Sequence, residues 1–408
     1  MPRRRWGALA LLLALACRGE PVDAQHKTTL AELVDSLRPS VEHATGLTFK
    51  EPPRSAMRTR QQVRQYLEAK LDQELPPERA AGMEQAYALF GMIPDTLQIR
   101  PLLLNLLTEQ VVGFYDPDSA MLFGVEGGDP AQLRLVLAHE MVHAIQGQYL
   151  SLDSILEQRT GNDRLLAAQA ILEGQAMLAS LRALVPDQDI VADPRVWSLL
   201  RTQVRSAQST MPQFKAAPLV IRQELIFPYV QGAEFMRWWV TNHPSSAMPY
   251  GDSMPVSTEQ ILHPERYAVN DEPVTLRFTD SSDAVQYEDG LGELEIRVLE
   301  QVAGDTGAVD ASAPLGWGGD RYRVYRTGAG SAVVWYSVWD NPAAAARFGR
   351  AMGAFLRGRS RTGYRSELTS VQLEGHAGWR WIIAPSGWIG WSNAPSATVA
   401  TGINSAAR

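Results

Sequence analysis

The stretch LRLVLAHEMVHAIQGQYL, residues 133–150, constrains this chain more than any other. Its apolar residues, Leu133, Leu135, Val136, Leu137, Met141, Val142 and Ile145 among them, fall on nearly every face of an α-helix. Such a helix is stable in water only when other elements enclose it. The Ala, Leu, Met and Gln content favours helix over strand. The expected architecture is therefore a helical body built around this segment. Within it stand His139, Glu140 and His143, ionisable groups for which burial is costly unless partners or a metal satisfy them.

At 3.6 residues per turn, His139 and His143 are i and i+4 and project from the same face. Two imidazoles on adjacent turns can take two corners of a tetrahedral zinc site, with Glu140 beside them to handle a proton. The plainer reading is two unrelated histidines and a glutamate ion pair. With only seven histidines in the chain, H-E-x-x-H arises by chance in roughly one such sequence in a hundred. A catalytic zinc also needs a third protein ligand and an open position. The following AIQGQYLSLD offers no histidine at the H-x-x-G-x-x-H spacing, although Gly147 sits near that motif's glycine. The remaining candidates are the distant His243, His263 and His376, or a carboxylate on a second helix. Residues 162–184, NDRLLAAQAILEGQAMLASLRAL, read as such a helix, with Glu173 the only acid in its middle. Glu173 is the favoured ligand over a solvated helix residue. Gly174 lowers helix stability, and its usual reason is close approach of another group, here expected to be the helix bearing the histidines.

Taken together, HEMVHAIQGQ, ILEGQA and STEQILHPERY resemble the gluzincin class of zinc metallopeptidases, and within it a bacterial group of secreted or lipid-anchored members. The resemblance spans roughly residues 113–267. It implies a zincin-like metallopeptidase domain, one Zn2+ per chain held by His139, His143 and Glu173, and Glu140 as general base. Some gluzincins carry an aspartate after the third ligand that orients a histidine; here Gly174, Gln175, Ala176 and Met177 follow. A backbone carbonyl, Asp163 or Gln175 must then hold the imidazole Nδ1 protons. The expected reaction is hydrolysis of a peptide or protein substrate. Zinc lowers the pKa of its water towards about 7, and Glu140 takes a proton from it and passes it to the leaving amine. A further oxyanion donor is required, for which Tyr229, His263 and Tyr267 are candidates. Their plainer roles are an amphipathic anchor for Tyr229 and a turn cap for His263. Upstream, GFYDPDSAMLFGV reads as a turn over 115–118 and a short strand over 120–125. Its edge either receives an extended peptide by β-addition or belongs to a plain hairpin.

At 408 residues, 45% of them hydrophobic, the chain has ample core for two domains and a targeting segment. A net charge of −7 argues against nucleic acid as a partner. MPRRRWGALALLLALAC has the basic start and short apolar run of an export signal. The only cysteine, Cys17, closes that run. Its place suggests a lipidated lipoprotein anchor and membrane attachment, against which stands cleavage after Ala24 and release as a soluble protein. Either outcome puts the protein in the cell envelope or outside it.

Helical spacing covers 30–37, 61–75, 77–90, 96–111 and 221–240, and GLTFKE suggests a short strand. The polar stretch from 242 to 257 is a loop able to border a cleft. From about Asp271 the composition shifts to Gly-rich turns, tryptophans and alternating strands, with a helix over 341–358 and a hairpin turned at Pro385-Ser386-Gly387. Core packing is the commoner use of such tryptophans, and a glycan or peptide surface the rarer one. GWGGDRY lacks the lysine and spacing of a phosphate loop. The expected organisation is an α+β chain. It has a signal over 1–24, a mainly helical zincin-like domain with a short edge sheet over 25–270, and a smaller α+β module over 271–408. The expected function is a zinc peptidase of the bacterial cell envelope. The alternative is a non-catalytic envelope scaffold with a structural or vestigial zinc site.

Overall fold

A computed structural model of the chain describes residues 29–157, 161–244, 247–304, 315–358, 362–391 and 395–400. The signal-like segment with Cys17 lies outside the described residues. The fold is α+β. Its N-terminal part runs α1 (Leu30–Thr45), β1 (Arg54–Arg58), α2 (Arg60–Glu74), α3 (Pro77–Phe90), α4 (Ile99–Gln110), β2 (Gly113–Asp116), β3 (Met121–Val125) and α5 (Pro130–Tyr149). There follow α6 (Leu152–Glu157), α7 (Asn162–Leu184), α8 (Pro194–Thr210), α9 (Pro212–Ala216), α10 (Leu219–Asn242), α11 (Thr258–Leu262) and α12 (Pro264–Ala268). The C-terminal part comprises β4 (Leu276–Phe278), β5 (Val285–Asp289), α13 (Gly292–Val302), β6 (Trp317–Thr327), β7 (Gly330–Trp339), α14 (Pro342–Gly358), β8 (Tyr364–Leu373), β9 (His376–Pro385) and β10 (Ala397–Val399). Among the described residues no helix is long and apolar enough to cross a membrane.

α5 is the enclosed helix its sequence demands. Asp129 caps it by accepting from the Ala131 amide at 2.8 Å, Pro130 fits the first turn, and Val136 to Gln146 are all buried. Against it pack α1, α7 and β2. α1 continues to Thr45 through Pro39, beyond the expected end at 37, because Val41 belongs to the same core as Leu37, Leu137 and Met141. GLTFKE is not a strand. Its Lys50 amide donates to the Gln148 side chain of α5 at 2.7 Å, and the strand lies further on, at β1.

The small sheet has the order β1-β3-β2, parallel for β1 with β3 and antiparallel for β3 with β2. The strand expected to offer an edge to a peptide is thus the central one. Its backbone is paired on both sides, and among the described residues the outer strands are β1 and β2.

The second sheet is antiparallel in the order β5-β6-β7-β9-β8. β9 is flanked by β7 and β8, so no edge remains for a strand returning after Pro385. The expected hairpin there is instead a single 3-10 turn, Ile389–Trp391. Trp317, Trp335, Trp339 and Trp381 are buried, so these tryptophans serve the core. The helical part docks onto the sheet through Phe90 of α3, whose ring meets Tyr322, Trp335 and Trp381 at 5.4, 5.8 and 5.6 Å. α13, not anticipated from the sequence, belongs to the same apolar core as α7 and α10. One core therefore runs across the boundary expected at 271. The α13 N-terminus is capped from β6: Asp320 accepts from the Leu291 and Gly292 amides at 2.8 and 3.0 Å, satisfying donors a helix start leaves open.

Candidate metal centre

α5 and α7 lie side by side, and their facing side chains bring the three expected ligands together. Nε2 of His139 lies 3.0 Å from Nε2 of His143, and Oε2 of Glu173 lies 3.1 and 3.2 Å from the two nitrogens. All three residues are buried. A tetrahedral ion with bonds of 2.0–2.1 Å separates its ligands by roughly 3.3 Å, so the triangle is close to the size such an ion requires. Two imidazole nitrogens and a carboxylate oxygen also suit zinc chemically. The residues fit the group.

The α7 backbone is held in place by its neighbours. Its N-terminus is capped from β5, where Asp289 accepts from the Asn162 amide at 3.0 Å. Gly174, next to Glu173, faces α10 and not the histidine-bearing helix. A Cβ on Gly174 would stand 2.3 Å from the Gly232 backbone, and one on Gly232 would stand 2.1 Å from the Ala170 carbonyl oxygen. The two glycines let α7 and α10 cross nearly backbone to backbone. This corrects the expected partner, though not the reason for the glycine.

His143 is oriented by a residue that sequence reading missed. Its Nδ1 donates to Oε1 of Gln146 at 2.8 Å. Gln146 Nε2 in turn donates to the Leu172 carbonyl at 3.1 Å and to Gln175 Oε1 at 2.7 Å. With two acceptors on its amide nitrogen, Gln146 has a fixed orientation, and its oxygen must accept. Nδ1 of His143 therefore carries a proton in either charge state, and in the neutral imidazole the Nε2 lone pair faces the triangle. Tyr250, from the polar loop after α10, donates to Gln175 and sits 3.3 Å from Gln146 Nε2. Of the holders proposed for this proton, Gln175 stands one step removed. Asp163 is elsewhere, accepting from the Thr258 amide at 2.9 Å. Nδ1 of His139 has no hydrogen-bond partner among the described residues. The i+3 position of Gln146 is the only signal the sequence carries for its role.

Glu140 is fully enclosed, and its Oε2 accepts from the Tyr115 amide of β2 at 2.7 Å. Its Oε1 is buried without a partner among the described residues. Burial pushes the Glu140 carboxyl up to about 8. Burial also pulls the two imidazoles down, and for His139 it prevails. At His143 the Glu173 carboxylate outweighs it, raising the imidazole to about 9. Glu173 is likewise pushed up by burial, but His143 and the imidazole hydrogen bonds hold it at about 2. The pocket thus favours a carboxylate and a positive charge at its centre.

Tyr229 of α10 joins the site, its ring centroid 6.0 Å from that of His139. His263 does not. It is buried beside α13, with Nε2 3.0 Å from Glu293 Oε1 and 3.1 Å from Arg297 Nη2. Its position before Pro264 reads as a loop, but α11 and α13 enclose it in this ion cluster, a long-range contact that the sequence does not signal. Tyr267 donates to the Ser253 carbonyl at 2.8 Å and packs on Phe235, Trp238 and Trp239. His243 stacks on Trp239 at 4.1 Å, and neither it nor His376 belongs to the ligand triangle.

No curated protein and no solved structure matches the chain. A domain of unknown function (DUF8575) matches residues 275–402. That span holds the antiparallel sheet, α13 and α14 and leaves the His139–His143–Glu173 triangle outside it, so over this span the chain is similar to that uncharacterised domain.

Proposed function

We propose that the protein is a zinc-dependent peptidase of the bacterial cell envelope with a zincin-like catalytic domain. The observation that carries this reading is the pairing of a closed triangle of candidate ligands with a buried glutamate whose second oxygen has no partner among the described residues. A purely structural zinc site has no use for such a base and fills its fourth position with protein. When bound, zinc would supply Lewis acidity towards a substrate carbonyl. Glu140 Oε1 accepts the proton of the attacking water while Oε2 stays anchored to the Tyr115 amide, so the carboxylate does not swing away. A cation in the triangle opposes the effect of burial and favours the ionised, proton-accepting form of Glu140. The same carboxyl then returns the proton to the leaving amine. Tyr229, beside His139, is the candidate donor to the developing oxyanion. The basic and apolar N-terminal segment with Cys17 supports export and a lipid anchor.

The test is cleavage of a quenched-fluorescent peptide library by zinc-loaded protein. Glu140→Gln should keep its zinc and lose about 10²–10⁴-fold in rate. Equal rates for wild type and Glu140→Gln would remove Glu140 from the mechanism. No cleavage by zinc-replete wild type would favour a scaffold.

A further inference from the structure

A cavity of about 190 Å³ adjoins the metal centre. Its floor is one stripe of α7, from Asn162 to Glu173, together with the parallel stripe of α10 from Ile221 to Tyr229. Its roof is supplied by α2, α3 and α4. Asn162 and Glu173 are eleven residues apart on one helix face, about 16 Å at 1.5 Å of rise per residue. The space is therefore long and slender. Leu, Ile, Met and Pro side chains make up most of the lining. Besides Glu173 and Tyr229 the polar lining residues are Glu74, Arg79, Asn162, Gln169 and Glu224, of which Glu224 accepts from the Tyr87 hydroxyl at 2.7 Å and Asn162 donates to Glu295. The end towards the metal centre is formed by Glu173 and Tyr229, the ligand and the candidate oxyanion donor.

We infer that this trough receives an unbranched aliphatic chain, several carbons long, carried by the substrate beside the bond presented to the metal centre. An acylated peptide has that chemistry. A short side chain would leave most of a length of about 16 Å unfilled, and a charged one would lose hydration against the leucines that make up much of the walls. The inference rests on the metal-centre reading for the position of the reacting bond, but not for the trough itself.

The test titrates zinc-loaded protein with n-alkyl hydroxamates, from acetohydroxamate to octanohydroxamate, whose head group chelates the metal. Affinity should rise about fourfold per added methylene until the trough is full. Leu103→Phe narrows the roof and Leu225→Phe the floor. Both should keep the affinity for acetohydroxamate and lose the gain from longer chains. A flat series, or the full gain retained in both variants, would overturn the inference. Failure of acetohydroxamate to bind would count against the metal centre alone. A second arm then decides: decanol titrated into metal-free protein should bind wild type and not Leu103→Phe, and no binding to wild type overturns the trough as an aliphatic site.

Discussion

Gly174→Ala tests how the ligand helix is positioned. In an exposed helix this change stabilises by about 1 kcal/mol, because alanine has the higher helix propensity. Here the added Cβ would lie 2.3 Å from the Gly232 backbone, where ordinary contact begins at 3.4 Å. Neither helix has a flexible side chain at the crossing to move aside, so α7 and α10 must separate by about 1 Å. Overpacking of this kind costs typically 1–3 kcal/mol, occasionally more, which outweighs the propensity gain. The net expectation is a loss of up to about 2 kcal/mol, read as a lower urea midpoint at unchanged slope. Because Glu173 is the adjacent residue, zinc affinity should fall with it. A Gly174→Ala protein as stable as wild type, with zinc affinity intact, would refute the backbone-to-backbone crossing and its role in placing the ligand.

Gln146→Ala removes the acceptor that fixes the His143 tautomer. Zinc affinity measured by chelator competition should weaken about 10–100-fold, while Gln146→Glu, which keeps an acceptor for Nδ1, should restore part of it; unchanged affinity in Gln146→Ala would exclude the relay. Asp163 is held by burial at about 7, well above the unfolded value near 3.9. Between those values the folded state keeps a proton that the unfolded state has released, so the stabilising contribution is complete below pH 4 and is lost as pH rises towards 7. Asp163→Asn should flatten that slope, by up to about 4 kcal/mol across the window; parallel stability profiles for variant and wild type would contradict it.

What the sequence revealed and what it hid divide along the range of the interactions involved. α3 spans the residues its spacing predicts because Pro77 starts it and Gly91, at φ +79°, ends it locally. The i, i+4 histidines and the enclosed character of α5 are also local facts, so the first two candidate ligands are legible from spacing alone. Glu173 is legible as the only acid in the middle of an apolar helix. The rest depends on contacts distant in sequence. α1 outlasts Pro39 because Val41 is buried against α5 and α7, and α13 forms under a cap supplied by Asp320 of β6. Gly174 signalled a close approach without saying to what. The Gln146–Gln175–Tyr250 relay joins two helices and a loop; the polar composition of that loop points to a cleft border, but not to Tyr250 as the residue that reaches the site. His263 looked free to act because its partners, Glu293 and Arg297, lie some thirty residues further on.

The most direct test of the central claim is zinc content by elemental analysis of protein produced from Gln25 onwards, with Glu140→Gln and Glu173→Gln prepared beside wild type. The account predicts one zinc per chain in wild type and in Glu140→Gln, and clear depletion in Glu173→Gln. A wild-type protein that retains no zinc after incubation with excess metal, or a Glu173→Gln protein that holds it as firmly as wild type, would contradict the metal centre described above.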